Sequence, residues 1–170
     1  MQSFKYLITG LLAALAVPAM AAPVAATSKP VSRATLQKPL QLTRLADLDF
    51  GTVVTSGLSG TVFIDATSGA RTLTGGLSAG PSNFGQRATF SLTGAPGQNV
   101  ILIVMPPPAL TNGVGDLVPV LALTLDGSPV RTIDASTGTL QFGVGGIITI
   151  SANQPDGVYA ANFDVTAIYF

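Results

Sequence analysis

The sequence predicts an all-β fold, an antiparallel β-sandwich of two sheets with Greek-key connections. Two observations carry that reading. Beyond residue 21 no apolar spacing repeats at a helical period, whereas short β-branched and aromatic runs recur between clusters of Gly, Pro, Asn and Asp. About eight to ten such runs can be counted, several of them alternating apolar and polar residues. Many short strands punctuated by turn residues favour a sandwich.

The elements follow in chain order. Residues 1–21 read as a signal peptide: Lys5 gives a positive start, residues 7–17 are apolar, and Ala19-Met20-Ala21 is a small-residue cleavage signature. The apolar stretch is short and broken by Gly10 and Pro18, a poor membrane span, and no later run is long enough. Residues 22–35 are polar, contain proline and form an expected flexible arm. Residues 36–170 are one expected domain, large enough for a substantial core. Within it, Ala88, Phe90 and Leu92 share one face of the run 88–93, opposite Thr89, Ser91 and Thr93. Residues 100–105 (VILIVM) are apolar on both faces, the pattern of a central strand covered on both sides. In the run 117–125, Pro119 points to an edge or a bulge. Asp126-Gly127 is a hairpin signal, Gly94–Gly97 and Asn153–Gly157 are turns, and 75–85 and 106–116 read as long surface loops.

Composition narrows the function. The chain has no His, Cys or Trp, and all eight acidic residues are Asp. Even in an oxidising compartment no disulfide can form, so stability must come from sheet packing. Removing residues 1–21 takes away one of eight basic residues, leaving seven against eight acidic and a net charge of −1. No basic stripe exists to meet a phosphate backbone, so nucleic acid is not an expected partner. Catalysis is not expected either. Ser-His-Asp and Cys-His arrangements are impossible, and the lysines left after residue 21, Lys29 and Lys38, sit in or beside the arm. Asp65, Asp126, Asp134 and Asp156 fall at strand ends, where Asp usually bonds its own turn. Asp47-Leu48-Asp49 is far from the ligand density of a calcium loop and reads as a corner before Phe50-Gly51. Gly143-Val144-Gly145-Gly146 lacks the Lys and helix of a phosphate loop and reads as a bulge or bend. No catalytic, cofactor or metal residues are therefore assigned.

The most informative segment is the last. From Gly157 onward Tyr159, Ala161, Phe163, Val165, Ala167 and Tyr169 occupy one face of an expected long strand. Tyr169 is penultimate and Gly157 is fourteenth from the end of the given sequence. This pattern resembles the C-terminal strand of chaperone–usher pilins. Leu36, Leu40 and Leu42 alternate, either as contacts of the arm or as the domain's first strand. The chain also resembles a bacterial family known as domain of unknown function 4402 through 38–54 (KPLQLTRLADLDFGTVV), 59–71, 88–100 and 142–169.

These resemblances imply an Ig-like, pilin-like sandwich. They also imply an assembly in which a partner pairs with the last strand by β-augmentation and a neighbour's arm completes the sheet. The chain differs from pilins in having no cysteine, and residues 22–50 carry no Gly and include Pro23, Pro30 and Pro39. The expected function is an exported, pilin-like structural subunit of a surface assembly. It would work in the periplasm, on the cell surface or outside the cell. Its expected partners are copies of itself or related subunits, with a periplasmic chaperone as a further candidate. The alternative is a self-contained binding or adhesion module, for which Phe84 is a candidate contact, although a role anchoring its loop in the core is the expectation there.

Overall fold

The computed structural model describes residues 31–170. The expected signal peptide, 1–21, and the first part of the expected arm, 22–30, lie outside the described residues. Residues 31–39 have no regular secondary structure and are exposed, and the folded unit runs from Leu36 to Phe170.

Twelve strands are described, with no helix among the described residues: β1 (Gln41–Ala46), β2 (Val53–Val54), β3 (Gly60–Ile64), β4 (Arg71–Leu73), β5 (Ser78–Ala79), β6 (Ala88–Thr93), β7 (Asn99–Met105), β8 (Ala109–Thr111), β9 (Leu117–Leu125), β10 (Val130–Thr132), β11 (Thr139–Ile150) and β12 (Asp164–Tyr169). Their pairings are antiparallel. A seven-stranded sheet runs β1-β6-β11-β3-β4, with β9 also on β11 and β8 on β9. A three-stranded sheet has the order β10-β7-β12, and β2 pairs with β5.

The twelve-residue β11 is the spine of the large sheet. Its first half, Thr139–Val144, pairs with β6; its second half, Gly146–Ile150, pairs with β3; β9 pairs across the middle, Val144–Ile148. Because β9 overlaps both, β6 and β3 take turns on the opposite edge of β11. Register shifts at Arg44/Ala46 and at Ile147/Ile148 bend the sheet into a half-barrel. The glycines of 143–146 serve this crowded crossing. A Cβ on Gly145 would collide with the Ile64 carbonyl and, at 2.6 Å, with the Ala66 nitrogen. A Cβ on Gly146 would meet Leu123 at 2.7 Å.

The core sits between the two larger sheets. Ala88, Phe90 and Leu92 of β6, Val100 and Leu102 of β7, and Phe142 and Val144 of β11 are buried together with Ile133. The Phe90 and Phe142 rings stack at 5.3 Å, and Phe163 meets Phe90 edge-on at 6.2 Å. Each such side chain contributes about 1.5–3 kcal/mol by leaving water. A second cluster, Val62, Val118, Ile148 and Ile150, gathers Phe50, Val53, Leu110 and Tyr159 around it.

Several sequence expectations are corrected. Residues 100–105 form the centre of the small sheet, but only Val100 and Leu102 are buried; Ile103 and Met105 point outward and are exposed. The Asp126-Gly127 turn does not close a hairpin. It carries the chain from β9 in the large sheet to β10 in the small one. The stretch 106–116 contains β8 and is the arm of a β8–β9 hairpin, and 75–85 contains β5. Phe84 is not anchored in the core, being 71% exposed. The last strand is shorter than expected, six residues from Asp164, because the backbone of 157–163 pairs with a strand only through the Ala160–Thr111 bridge. Asp65 and Asp134 accept bonds from their own turns, whereas Asp126 spans elements: it accepts from the Gly143 N–H at 2.7 Å and from Arg131 at 2.6 Å.

Candidate functional site

Two strand edges shape the candidate site. β1 closes one end of the large sheet, pairing with β6 alone, and β12 closes one side of the small sheet, pairing with β7 alone. Their outer edges have no strand partner among the described residues. An open cleft of about 1310 Å³ lies between them. One wall is the chain from Leu42 to Thr55, and the other runs from Gln154 to Val165. The floor is apolar: Phe90 of β6, Leu110 of β8, Val118 and Val120 of β9, and Ile148 and Ile150 of β11. Small-molecule sites occupy roughly 300–1,000 Å³, so this cleft suits a polypeptide segment better than a metabolite.

Local chemistry holds each wall in place. Asp49 Oδ1 accepts the Gly51 N–H at 2.7 Å, and Asn83 donates to Asp49 Oδ2 at 2.8 Å. Gly51, with φ of 77°, completes the corner expected from Asp47-Leu48-Asp49. Arg71 donates to the carbonyls of Phe50 and Thr52, at 3.1 and 3.0 Å, and ties that wall to β4. On the facing wall Gly157 has φ of 152°, a conformation other residues avoid, and it turns the chain into Tyr159. The Tyr159 hydroxyl donates to the Pro155 carbonyl at 2.9 Å and accepts from Gln154 at 3.0 Å, so the ring reaches the second core cluster while the tip stays bonded.

The residues singled out in the last segment divide into two groups. Phe163, Val165, Ala167 and Tyr169 alternate inward and pack on the main core, as the period-two pattern requires. Gly157 and Tyr159 belong to the turn and wall ahead of the strand, and Ala161 is exposed. Tyr169 fastens the far end of β12. Its hydroxyl donates to the Lys38 carbonyl at 2.8 Å and accepts the Ala95 N–H at 2.6 Å. Of the three leucines, Leu42 lies in β1 and in the cleft, Leu40 packs on the main core, and Leu36 is 96% exposed. Sequence reasoning missed Phe50, Val118, Val120, Ile148 and Ile150 as cleft residues. Their apolar character was visible, but that the two walls part above them was not.

The polar clusters elsewhere have structural partners. Arg87 donates to the Ala66 carbonyl at 2.7 Å and to the Thr67 carbonyl, and its guanidinium lies 3.9 Å from Asp126. Arg131 binds Asp126 and lies over the Phe142 ring, beside a cavity of about 170 Å³. No group of three metal-binding side chains occurs among the described residues. No described helix is long and apolar enough to cross a membrane.

The family model for a domain of unknown function, DUF4402, matches residues 40–169, from the start of β1 to the end of β12. The chain belongs to that family. The DUF4402 match therefore contains both walls of the cleft, its floor and both free edges. Neither the curated proteins nor the solved structures offer a match to this chain.

Proposed function

We propose that this DUF4402 chain is an exported structural subunit of a bacterial surface assembly. Its sandwich is pilin-like, and its copies join by adding a strand to the open side of the fold. One observation carries the reading: among the described residues the β1 and β12 edges lack strand partners on either side of a cleft whose apolar floor is built largely from the second core cluster. Unpaired edges are liabilities that stable monomers cover or blunt. An extended segment laid in the cleft would satisfy an edge and cover its half-buried apolar side chains, Phe50, Val53, Leu110, Val120 and Tyr159, together, which is β-augmentation. The composition fits a scaffold, with no disulfide, 9% charged residues, and no His or Cys for catalysis. The reading assigns no enzymatic activity and no cofactor, and its partners are other copies or related subunits, with a periplasmic chaperone as escort.

Material sheared from native cells, run on a denaturing gel with and without boiling and probed for this chain, tests the proposal. A ladder that collapses to monomer on boiling supports it, while a single monomer band in both lanes returns the binding-module reading. Deleting residues 22–35 is expected to abolish the ladder and leave the domain's circular dichroism unchanged, because the folded unit starts at Leu36. A ladder that persists after the deletion refutes insertion of this arm.

A further inference from the structure

The cleft carries a charge signature that names its occupant, an inference that rests on the strand-addition reading. Four carboxylates line the cleft, Asp47, Asp49, Asp156 and Asp164, against one base, Arg44. Arg44 is held by Asp47 at 2.7 Å, so three carboxylates are in excess. The imbalance extends to the folded body: residues 36–170 contain Lys38, four Arg and eight Asp, a net charge of −3. Residues 22–36 contain Lys29 and Arg33 and no acidic residue. We propose that the cleft receives residues 22–36 of a second copy, and that attraction between Lys29 and Arg33 and the cleft's acidic rim selects that segment.

The sequence of the segment suits the site. Written as a strand, Val24, Ala26, Pro30, Ala34 and Leu36 fall on one face together with the small Ser28 and Ser32, and Lys29 and Arg33 fall on the other with Val31 between them. The first set can meet the apolar floor while the cations lie toward the carboxylates, about 13 Å apart along the strand. Pro30 also falls in the right set. An antiparallel edge takes hydrogen bonds from every second residue, so pairing through Thr27, Lys29, Val31 and Arg33 never requires the N–H that Pro30 lacks.

The donor is a second copy because the chain's own approach points elsewhere. The Tyr169 hydroxyl holds the Lys38 carbonyl at the end of β12 away from the cleft. Pro39 keeps Lys38 extended, and no turn between residues 36 and 40 folds the chain back along β1. Insertion into a neighbour is a head-to-tail contact, which propagates into an open chain of subunits.

Salt and charge reversal test the inference on the full exported chain, with assembly followed by sedimentation. Rim charges act mainly over a Debye length, about 8 Å at physiological ionic strength. Wild-type assembly is therefore expected to weaken as salt rises. Lys29→Asp with Arg33→Asp is expected to raise the concentration needed for assembly about tenfold or more at low salt. Adding Asp156→Lys and Asp164→Lys to that variant is expected to restore assembly. Both positions are exposed, and near-ultraviolet circular dichroism reports that the domain is intact. Unchanged assembly by the arm variant, or no restoration by an intact compensated variant, overturns the charge selection and leaves strand addition standing. A wild-type monomer whose own residues 22–36 resist protease overturns the second copy as donor. A wild-type chain that is monomeric with an accessible arm at every concentration removes strand addition itself, and the inference with it.

Discussion

At the scale of single residues, two polar side chains do unlike work with the same economy of means. Tyr169 joins the last strand to the Lys38 carbonyl, 131 positions earlier, and to the Ala95 N–H, 74 positions earlier. Asp134 works locally: its carboxylate accepts from the backbone and hydroxyls of Ser136 and Thr137 and so shapes the turn between β10 and β11. Those bonds favour the charged form and hold its pKa well below the usual carboxylate range. Its contribution is therefore complete above the ordinary carboxylate pKa and lost as pH falls toward the depressed folded value. Asp134→Asn is expected to unfold at lower urea than wild type at neutral pH, with the gap closing as the solution is acidified. A gap that widens in acid would refute this account. The local role of Asp134 was legible, since Asp followed by Ser and Thr builds such turns. For Tyr169 only the spacing from Gly157 was legible, because its partners are set by the fold.

Elements were readable where one face is wet and the other dry. The alternation in 88–93 predicts β6 with its correct inward face, Ala88, Phe90 and Leu92. It fails for β7, where Ile101, Ile103 and Met105 are apolar yet face away from the core. Turn chemistry has a related blind spot. Asp126-Gly127 says that the chain turns but not which sheet it enters next, and here it leaves β9 for the other sheet. Glycines inside β11 are a sharper signal. Gly145 has no room for a Cβ under Ile64 and Ala66, so Gly145→Val forces backbone apart rather than a flexible side chain. Such overpacking is expected to destabilise the domain by about 1–3 kcal/mol, or more if β3 is displaced. Urea titration checks it, and an unchanged midpoint would mean that the crossing is looser than described.

For the whole molecule, the division of charge and the open side are properties of the assembled fold. Asp47 and Asp49 lie more than a hundred positions from Asp156 and Asp164, and no local pattern joins them. The cleft became visible only when β1 and β12 were placed at the free edges of their sheets. What the sequence did show was the other half of the arrangement, a short stretch after residue 21 with basic but no acidic residues.

The two core clusters have unequal cover, and that has a consequence for the life of an isolated subunit. Of the first cluster's buried residues Phe90 alone reaches the cleft, whereas Val118, Ile148 and Ile150 of the second line it, with Phe50, Val53, Leu110 and Tyr159 beside them. An isolated subunit would therefore breathe unevenly. Deuterium is expected to enter the amides of β2, β5, β8 and residues 154–163 early, and those of β6, β7 and the first half of β11 last. If copies join as proposed, the early group should slow to the pace of the late one in the assembled chain. Each subunit would then owe part of its rigidity to its neighbour, and a chain end would be the one place where that part is still missing.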